Sequence, residues 1–207
     1  MPSLKNAVLL LYNTILLISH FVIFNRVVYS GFDGSFDYSI FFGFLVIITS
    51  LQYFDIILSL SGLTKSNPVM VLVQVTGRLF VLYTATKVIG WAPAVFSLVV
   101  IYLLSELCRG PYYISVCLGD PNELLTWLRY NAFRVLYPIG FTCEALVFAN
   151  VFLQAYRENT LVSSTGTDYF IFTVIAFFTF FISTCLFLYN SMARQAYKKN
   201  NEATKNK

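Results

Sequence analysis

The stretch YFIFTVIAFFTFFISTCLFLY, residues 169–189, contains no charged side chain from end to end. A helix of about 20 mostly apolar residues spans the hydrocarbon core of a bilayer. A strand in lipid must belong to a closed barrel in which apolar and polar side chains alternate, and this stretch does not alternate. The stretch therefore predicts a transmembrane helix.

Five further apolar stretches of comparable length lie at residues 6–24, 39–60, 69–89, 92–107 and 130–153. The first is longer than the apolar part of a signal peptide and lacks an A-x-A-like cleavage site, so we interpret it as a span. The sequence thus predicts an all-α fold, an integral membrane bundle of six transmembrane helices. We expect a single membrane domain over residues 1–190 and a polar, basic cytosolic tail over residues 191–207.

The composition of the whole chain agrees with a membrane protein. Of its 207 residues, 57% are hydrophobic and 12% are charged, and the mean hydropathy is +0.70. A soluble domain has about 25% charged residues, so the composition argues against a disordered chain, a nucleic-acid binder and an ordinary cytosolic enzyme. The four cysteines have neither paired disulfide spacing nor a CxxC motif, which predicts small buried apolar side chains.

The distribution of Lys and Arg predicts the orientation of the bundle. The two terminal tails and the second and fourth loops hold nine of these residues, whereas the opposite loops hold three. Loops rich in Lys and Arg remain on the cytosolic side. With six spans, both termini are then expected in the cytosol.

An ionisable side chain within a predicted span costs about 2.5–3.5 kcal/mol on insertion scales, and five such residues are candidates for a functional or structural role. Asp55 and Glu106 lie near span ends and are expected to reach water. Arg78 and Arg134 either extend to the interface or pair with an acid on a neighbouring helix, and Asp55 with Arg78 is one such expected pair. Glu144 lies near the middle of its span with no basic neighbour in sequence.

Glu144 follows Tyr137 by seven residues, about two helical turns, so both side chains are expected on one helix face. The offset is about 10 Å along the axis, which suits two groups flanking a small substrate segment. Pro138 and Gly140 lie between them, and a proline can kink the helix and open space for a ligand. A buried carboxylic acid suits proton transfer. The alternative is that Tyr137 is an interfacial aromatic and Glu144 a structural acid.

Other chemistries lack the residues they need. The chain has a single histidine, His20, which excludes a histidine-rich metal site. No cysteine is followed six positions later by arginine, so the loop of a cysteine phosphatase is absent, and no GxSxG, P-loop or GxGxxG motif occurs.

The segment WLRYNAFRVLYPIGFTCE, residues 127–144, resembles the W-L-R-Y-x-x-F-x-x-L-Y-P-x-G-x-x-x-E signature of the very-long-chain 3-hydroxyacyl-CoA dehydratases, also called the protein tyrosine phosphatase-like family. The resemblance extends over about residues 10–150. The other matching positions are Tyr12, Asn13, Gly62, Leu63, Ser66, Pro68, Gln74, Val75, Arg78, Glu106, Arg109 and Tyr113.

The sequence also departs from the family pattern. Asn67 is inserted in the G-L-x-x-S-P run, and Gly77 replaces the serine of Q-V-x-S-R. Where the family has L-E-x-x-H in the second span, this chain has Asp55 and Leu58, and Ser59 replaces a cysteine of the degenerate phosphatase-like motif. The aspartate keeps the charge of the family's glutamate.

The resemblance implies a dehydratase that converts a long-chain 3-hydroxyacyl-CoA into a trans-2-enoyl-CoA, the third step of fatty-acid elongation, without a metal or redox cofactor. The residues regarded as catalytic in the family correspond to Tyr137 and Glu144. We expect Glu144 to take the alpha proton and Tyr137 to protonate the leaving hydroxyl, although the roles can be reversed or one group can serve both.

The same resemblance implies where the substrate binds. Apolar walls are expected from Phe133, Phe141 and Leu146. Arg109 and Arg129 are candidate contacts of the CoA phosphates or, equally, topology charges. The further candidate substrate contacts are Glu106, Tyr113 and Arg78, with Glu106 and Arg109 either paired to each other or serving the substrate.

The resemblance also implies an endoplasmic reticulum membrane, contact with membrane lipid and other fatty-acid elongation enzymes as partners. Two other functions remain open. One is a non-catalytic scaffold or degenerate paralogue that binds elongase components. The other is a small lipid or solute carrier, for which repeat symmetry between halves is expected.

Overall fold

The computed structural model of the protein describes residues 4–64, 67–88, 92–119, 122–158 and 167–205. Over these residues the chain forms eight helices: α1 (Leu4–Phe32), α2 (Tyr38–Leu51), α3 (Phe54–Leu60), α4 (Pro68–Ala85), α5 (Ala92–Leu118), α6 (Glu123–Asn131), α7 (Phe133–Arg157) and α8 (Thr167–Lys205).

Within the described ranges, six helical segments are long and apolar enough to cross a membrane, because α2 with α3 and α6 with α7 each make one span. The spans are Lys5–Phe32, Tyr38–Leu60, Pro68–Ala85, Pro93–Leu118, Glu123–Arg157 and Tyr169–Lys198. The predicted all-α bundle of six transmembrane helices is therefore confirmed.

Several helices extend beyond the predicted apolar stretches. The fourth was expected to end at residue 107, but α5 continues through Pro111 to Leu118. The last helix continues to Lys205, because the polar residues that follow the apolar stretch include good helix formers. The division of the chain at residue 190 stays a prediction, and Lys65 and Lys207, used for the orientation, lie outside the described residues.

Polar caps fix where three of the helices begin. The side chain of Asp37 accepts a hydrogen bond from the Ser39 amide at 2.9 Å at the start of α2. Hydrogen bonds from the Ser39 hydroxyl and amide lower the pKa of Asp37 below its usual range. Asn67 caps α4 just before Pro68, and Asn122 accepts from the Leu124 amide at 2.8 Å at the start of α6. Each cap satisfies a backbone donor that the helix leaves free.

The centre of the bundle is the packing of α1 against α5, where two glycines allow close approach. A Cβ atom added at Gly31 would overlap the ring of Phe96, and one added at Gly110 would lie 2.9 Å from Leu17 Cδ1. Around this contact, α2, α4 and α7 complete a buried apolar core. Cys143 and Cys185 are buried, Cys108 and Cys117 are half-buried, and all of these thiols are free.

Candidate active site

Tyr137 and Glu144 both line a cavity of about 190 Å³ whose other walls are residues of α4, α5, α7 and α8. The two side chains lie on the same face of α7, as their seven-residue spacing predicts. Gly140, one turn before Glu144, also lines the cavity, and a Cβ atom added there would lie 3.5 Å from Ile101 Cγ2 of α5. A phenol and a carboxyl group therefore flank one void in the membrane-spanning part of the protein.

Each of these groups has a polar partner on a neighbouring helix. The hydroxyl of Tyr102 on α5 donates to Glu144 Oε1 at 2.6 Å. On the other side, Gln74 Nε2 of α4 donates to the hydroxyl oxygen of Tyr137 at 3.2 Å. These contacts orient the carboxylate and the phenol while leaving both groups at the cavity surface.

The remaining wall of the cavity is mainly apolar, which suits a hydrocarbon ligand. Phe141 lines it as expected, with its ring centroid 5.6 Å from that of Tyr137. Phe133 lines an adjoining smaller cavity instead. The expectation that Leu146 forms a wall is wrong, because this side chain is 38% exposed on a different face of α7.

The adjoining cavity has a volume of about 50 Å³ and contains most of the charged residues of the region. Its lining includes Arg78, Glu106, Arg109 and Arg129. Tyr137 lines both cavities and therefore lies where the apolar compartment meets the charged one.

An ion cluster joins α3, α4 and α5 beside the smaller cavity. Arg78 pairs with Glu106 Oε1, and Arg109 Nη2 lies 2.9 Å from Glu106 Oε2. Arg109 Nη2 also lies 3.6 Å from Asp55 Oδ2. Among the described residues, Asp55 thus pairs with Arg109, and the expected Asp55–Arg78 pair is wrong, because the rotation of α5 places Glu106 against Arg78.

Burial corrects a second expectation about these charges. Glu106 was expected to reach water, but its side chain is only 7% exposed and is enclosed by the two arginines. Glu106 and Arg109 do pair with each other, while their service to the substrate stays a prediction. Arg134 is exposed on the surface of α7, as a side chain extending toward the interface would be.

Tyr113 lies between two arginines at the end of the charged region. Arg129 Nη2 donates to its hydroxyl oxygen at 3.4 Å, and the guanidinium carbons of Arg109 and Arg129 each lie 5.7 Å from its ring centroid. This arrangement brings the two predicted phosphate contacts together. That they bind a substrate stays a prediction.

Tyr102 and Ser105 are site residues that the sequence did not reveal. Both line the larger cavity, and Ser105 accepts a hydrogen bond from Arg78 Nη2 at 3.0 Å. Helical spacing in the sequence could have identified them, because polar residues recur every three or four positions along one face of α5. These residues are Tyr102, Ser105, Glu106, Arg109 and Tyr113. Gln74 belonged to a matching motif but had no assigned role.

The family profile and the related proteins that match this chain point to one family. The profile of the family described as "Protein tyrosine phosphatase-like protein, PTPLA" matches residues 49–202. A "Probable very-long-chain (3R)-3-hydroxyacyl-CoA dehydratase" of Schizosaccharomyces pombe is 35% identical over 104 residues, which cover 48% of this chain and 50% of that protein.

Two vertebrate proteins named "Very-long-chain (3R)-3-hydroxyacyl-CoA dehydratase" match over a longer stretch. The Gallus gallus protein is 31% identical over 151 residues, covering 69% of this chain and 42% of that protein. The Danio rerio protein is 29% identical over 169 residues, covering 78% and 47% respectively. The chain spans about half the length of these relatives, or less. No solved structure matches it significantly.

Proposed function

Because this chain belongs to the protein tyrosine phosphatase-like (PTPLA) family, we propose that it is a very-long-chain (3R)-3-hydroxyacyl-CoA dehydratase. The reaction eliminates water to give a trans-2-enoyl-CoA, the third step of the fatty-acid elongation cycle. The observation that carries the proposal is the cavity into which Tyr137 and Glu144 project together from one helix face. The names of the matching relatives support the same activity.

In the proposed reaction Glu144 takes the proton from C2 of the substrate. The C2–H electron pair forms the C2–C3 double bond as the C3–O bond breaks. Tyr137 protonates the departing hydroxyl, which leaves as water, and the proton on Glu144 must then return to the phenolate before the next turnover. The Tyr102 hydroxyl occupies one carboxylate oxygen of Glu144 and leaves the other for the substrate.

The two adjoining cavities match the two halves of such a substrate. The larger cavity, with apolar walls, accommodates the first carbons of the acyl chain. Arg109 and Arg129 line the smaller one and attract the CoA phosphates. Tyr137 borders both cavities, which supports a binding mode with the thioester and the neighbouring C2 and C3 beside it.

The test is turnover of a long-chain 3-hydroxyacyl-CoA by the purified protein, with the enoyl product measured by mass spectrometry. We expect Glu144→Gln and Tyr137→Phe each to lower kcat by about 100-fold or more, the usual contribution of a general acid or base. Matched controls lie at the far end of the same helix, where Glu158 and Tyr156 are exposed. Glu158→Gln and Tyr156→Phe are expected to retain wild-type activity.

Two outcomes would contradict the proposal. Full activity in Glu144→Gln and Tyr137→Phe would remove the site assignment. A correctly folded wild-type protein without dehydratase activity would favour a non-catalytic scaffold that binds elongase components.

The proposal extends to location and partners. We place the protein in the endoplasmic reticulum membrane, the location that its family resemblance implies. Both termini are expected in the cytosol, since Lys and Arg are concentrated in the tails and the loops on the same side. Other fatty-acid elongation enzymes are the expected partners, because they supply the substrate and consume the product within the same membrane.

A further inference from the structure

The larger cavity reaches the outer surface of the bundle within the membrane-spanning part. Phe80 of α4 and Phe180 of α8 both line it, and they are 55% and 73% exposed. Both residues lie inside segments long and apolar enough to cross a membrane. The opening between them therefore faces hydrocarbon rather than water.

The packing of the helices explains this opening. The main neighbours of α4 are α2, α3 and α7, and those of α8 are α6 and α7. The helices α4 and α8 thus flank α7, and the cavity lies between them. Its floor on α7 is formed by Gly140, Phe141 and Phe148.

Gly77 widens the opening on the α4 side. It lines the cavity and is exposed, and a Cβ atom added there would meet no atom within 4 Å. On the α8 side, Thr184 lines the same opening, with its hydroxyl bonded to the Phe180 carbonyl at 2.9 Å. A large side chain introduced at position 77 or 184 would therefore project into the opening.

The cavity is too small to enclose a very-long-chain acyl group. Its volume is about 190 Å³, whereas pockets that enclose a drug-sized ligand have about 300–1,000 Å³. The acyl carbons beyond the reacting end must therefore leave the cavity. The opening between α4 and α8, hereafter the mouth, is apolar and leads into the hydrocarbon core of the bilayer.

We propose that the acyl chain of the substrate passes sideways through the mouth between α4 and α8 into the bilayer, and that the small side chains of Gly77 and Thr184 keep this mouth open to long acyl chains. This inference rests on the proposed dehydratase function. It implies that the protein sets no upper limit on acyl length, because the distal carbons lie in lipid.

The first test compares kcat/KM for 3-hydroxyeicosanoyl-CoA and 3-hydroxyoctanoyl-CoA in lipid nanodiscs. Gly77→Phe and Thr184→Phe are each expected to lower the long-to-short ratio about tenfold or more, the loss of roughly two methylene contacts. The control is Gly43→Phe on α2, because Gly43 is also an exposed helical glycine without an atom within 4 Å of an added Cβ. Thermal unfolding of each variant identifies any variant that fails to fold. Because positions 77 and 184 lie on different helices, the two variants test the proposal independently.

The second test needs no turnover. An enoyl-CoA with a diazirine on a mid-chain carbon, where the acyl chain crosses the mouth, is expected to label peptides of α4 and α8, and unlabelled ligand is expected to suppress this labelling. Labelling confined to α1 and α5, or an unchanged chain-length ratio in both blocked variants, would overturn the proposal. Labelling of α4 and α8 without water elimination by the wild type would instead refute the dehydratase function and leave the mouth in place.

Discussion

Glu144 and Glu106 are both acids in membrane-spanning helices, but their partners differ in kind. Glu106 is enclosed by Arg78 and Arg109, and both of its carboxylate oxygens are engaged in ion pairs. Glu144 has a phenol at 2.6 Å and an open cavity beside it. A carboxyl group without a bound cation can gain and lose a proton during a reaction, so the structural contacts favour Glu144 over Glu106 as the proton-transfer group.

At the residue scale we predict that Tyr102→Phe lowers kcat about tenfold to 100-fold with little change in KM. The variant removes the hydrogen bond that orients Glu144, and a hydrogen bond to a charged group contributes roughly 1.5–3 kcal/mol. Steady-state kinetics with a long-chain 3-hydroxyacyl-CoA measures the effect.

The control for this variant is Tyr38→Phe. The hydroxyl of the half-buried Tyr38 donates to the Leu82 carbonyl oxygen at 2.9 Å, and neither residue lines the cavity. Removing this hydroxyl eliminates a hydrogen bond but leaves the contacts of Glu144 unchanged. Equal losses of kcat in the two variants would show that Tyr102 acts only on the fold.

At the scale of helices, charges rather than apolar contacts alone specify how α3, α4 and α5 meet. Glu106 and Arg109 on α5 bind Arg78 of α4 and Asp55 of α3, respectively. Buried charges are retained only when they are paired. The cluster therefore fixes the rotation of α5, and with it the position of Tyr102 one turn before Glu106.

We predict that Glu106→Gln destabilises the protein by about 3–5 kcal/mol, the usual cost of leaving buried partners of an ion pair uncompensated. Equilibrium unfolding in detergent micelles measures this difference. Glu158→Gln, an equal change at an exposed position, is expected to alter the free energy of unfolding by less than about 0.5 kcal/mol. A loss in Glu106→Gln no larger than in this control would assign Glu106 to the substrate rather than to the fold.

At the scale of the whole molecule, the bundle separates charged and apolar space along the membrane normal. The smaller, charged cavity lies toward the end of the bundle where α5 ends and α6 begins, and Met192 of α8 lines it. In the proposed orientation this end faces the cytosol, where CoA is dissolved.

We therefore predict that an epitope tag after residue 207 is accessible to antibody when only the plasma membrane is permeabilised. A tag inserted in the turn at residues 33–36, between α1 and α2, is expected to require permeabilisation of internal membranes. Immunofluorescence of the two tagged proteins measures this difference. The reverse pattern would invert the orientation and place the charged cavity in the lumen.

The amino-acid sequence was sufficient to predict the number of membrane-spanning segments and the shared face of Tyr137 and Glu144. Both depend on local properties, since hydropathy within one segment decides insertion and helical periodicity places residues seven apart on one face. Helix ends were less predictable, and α8 continues past its apolar stretch to Lys205 because helix propensity does not require apolar side chains.

The partners of these residues became visible only once the helices were packed together. The hydrogen bond from Tyr102 to Glu144 and the ion pair of Asp55 with Arg109 join residues 42 and 54 positions apart. Such contacts depend on the rotation and tilt of each helix, which side-chain packing sets and hydropathy does not encode. The mouth of the cavity has the same origin, because it exists only where α4 and α8 pack on α7 and leave a space between them.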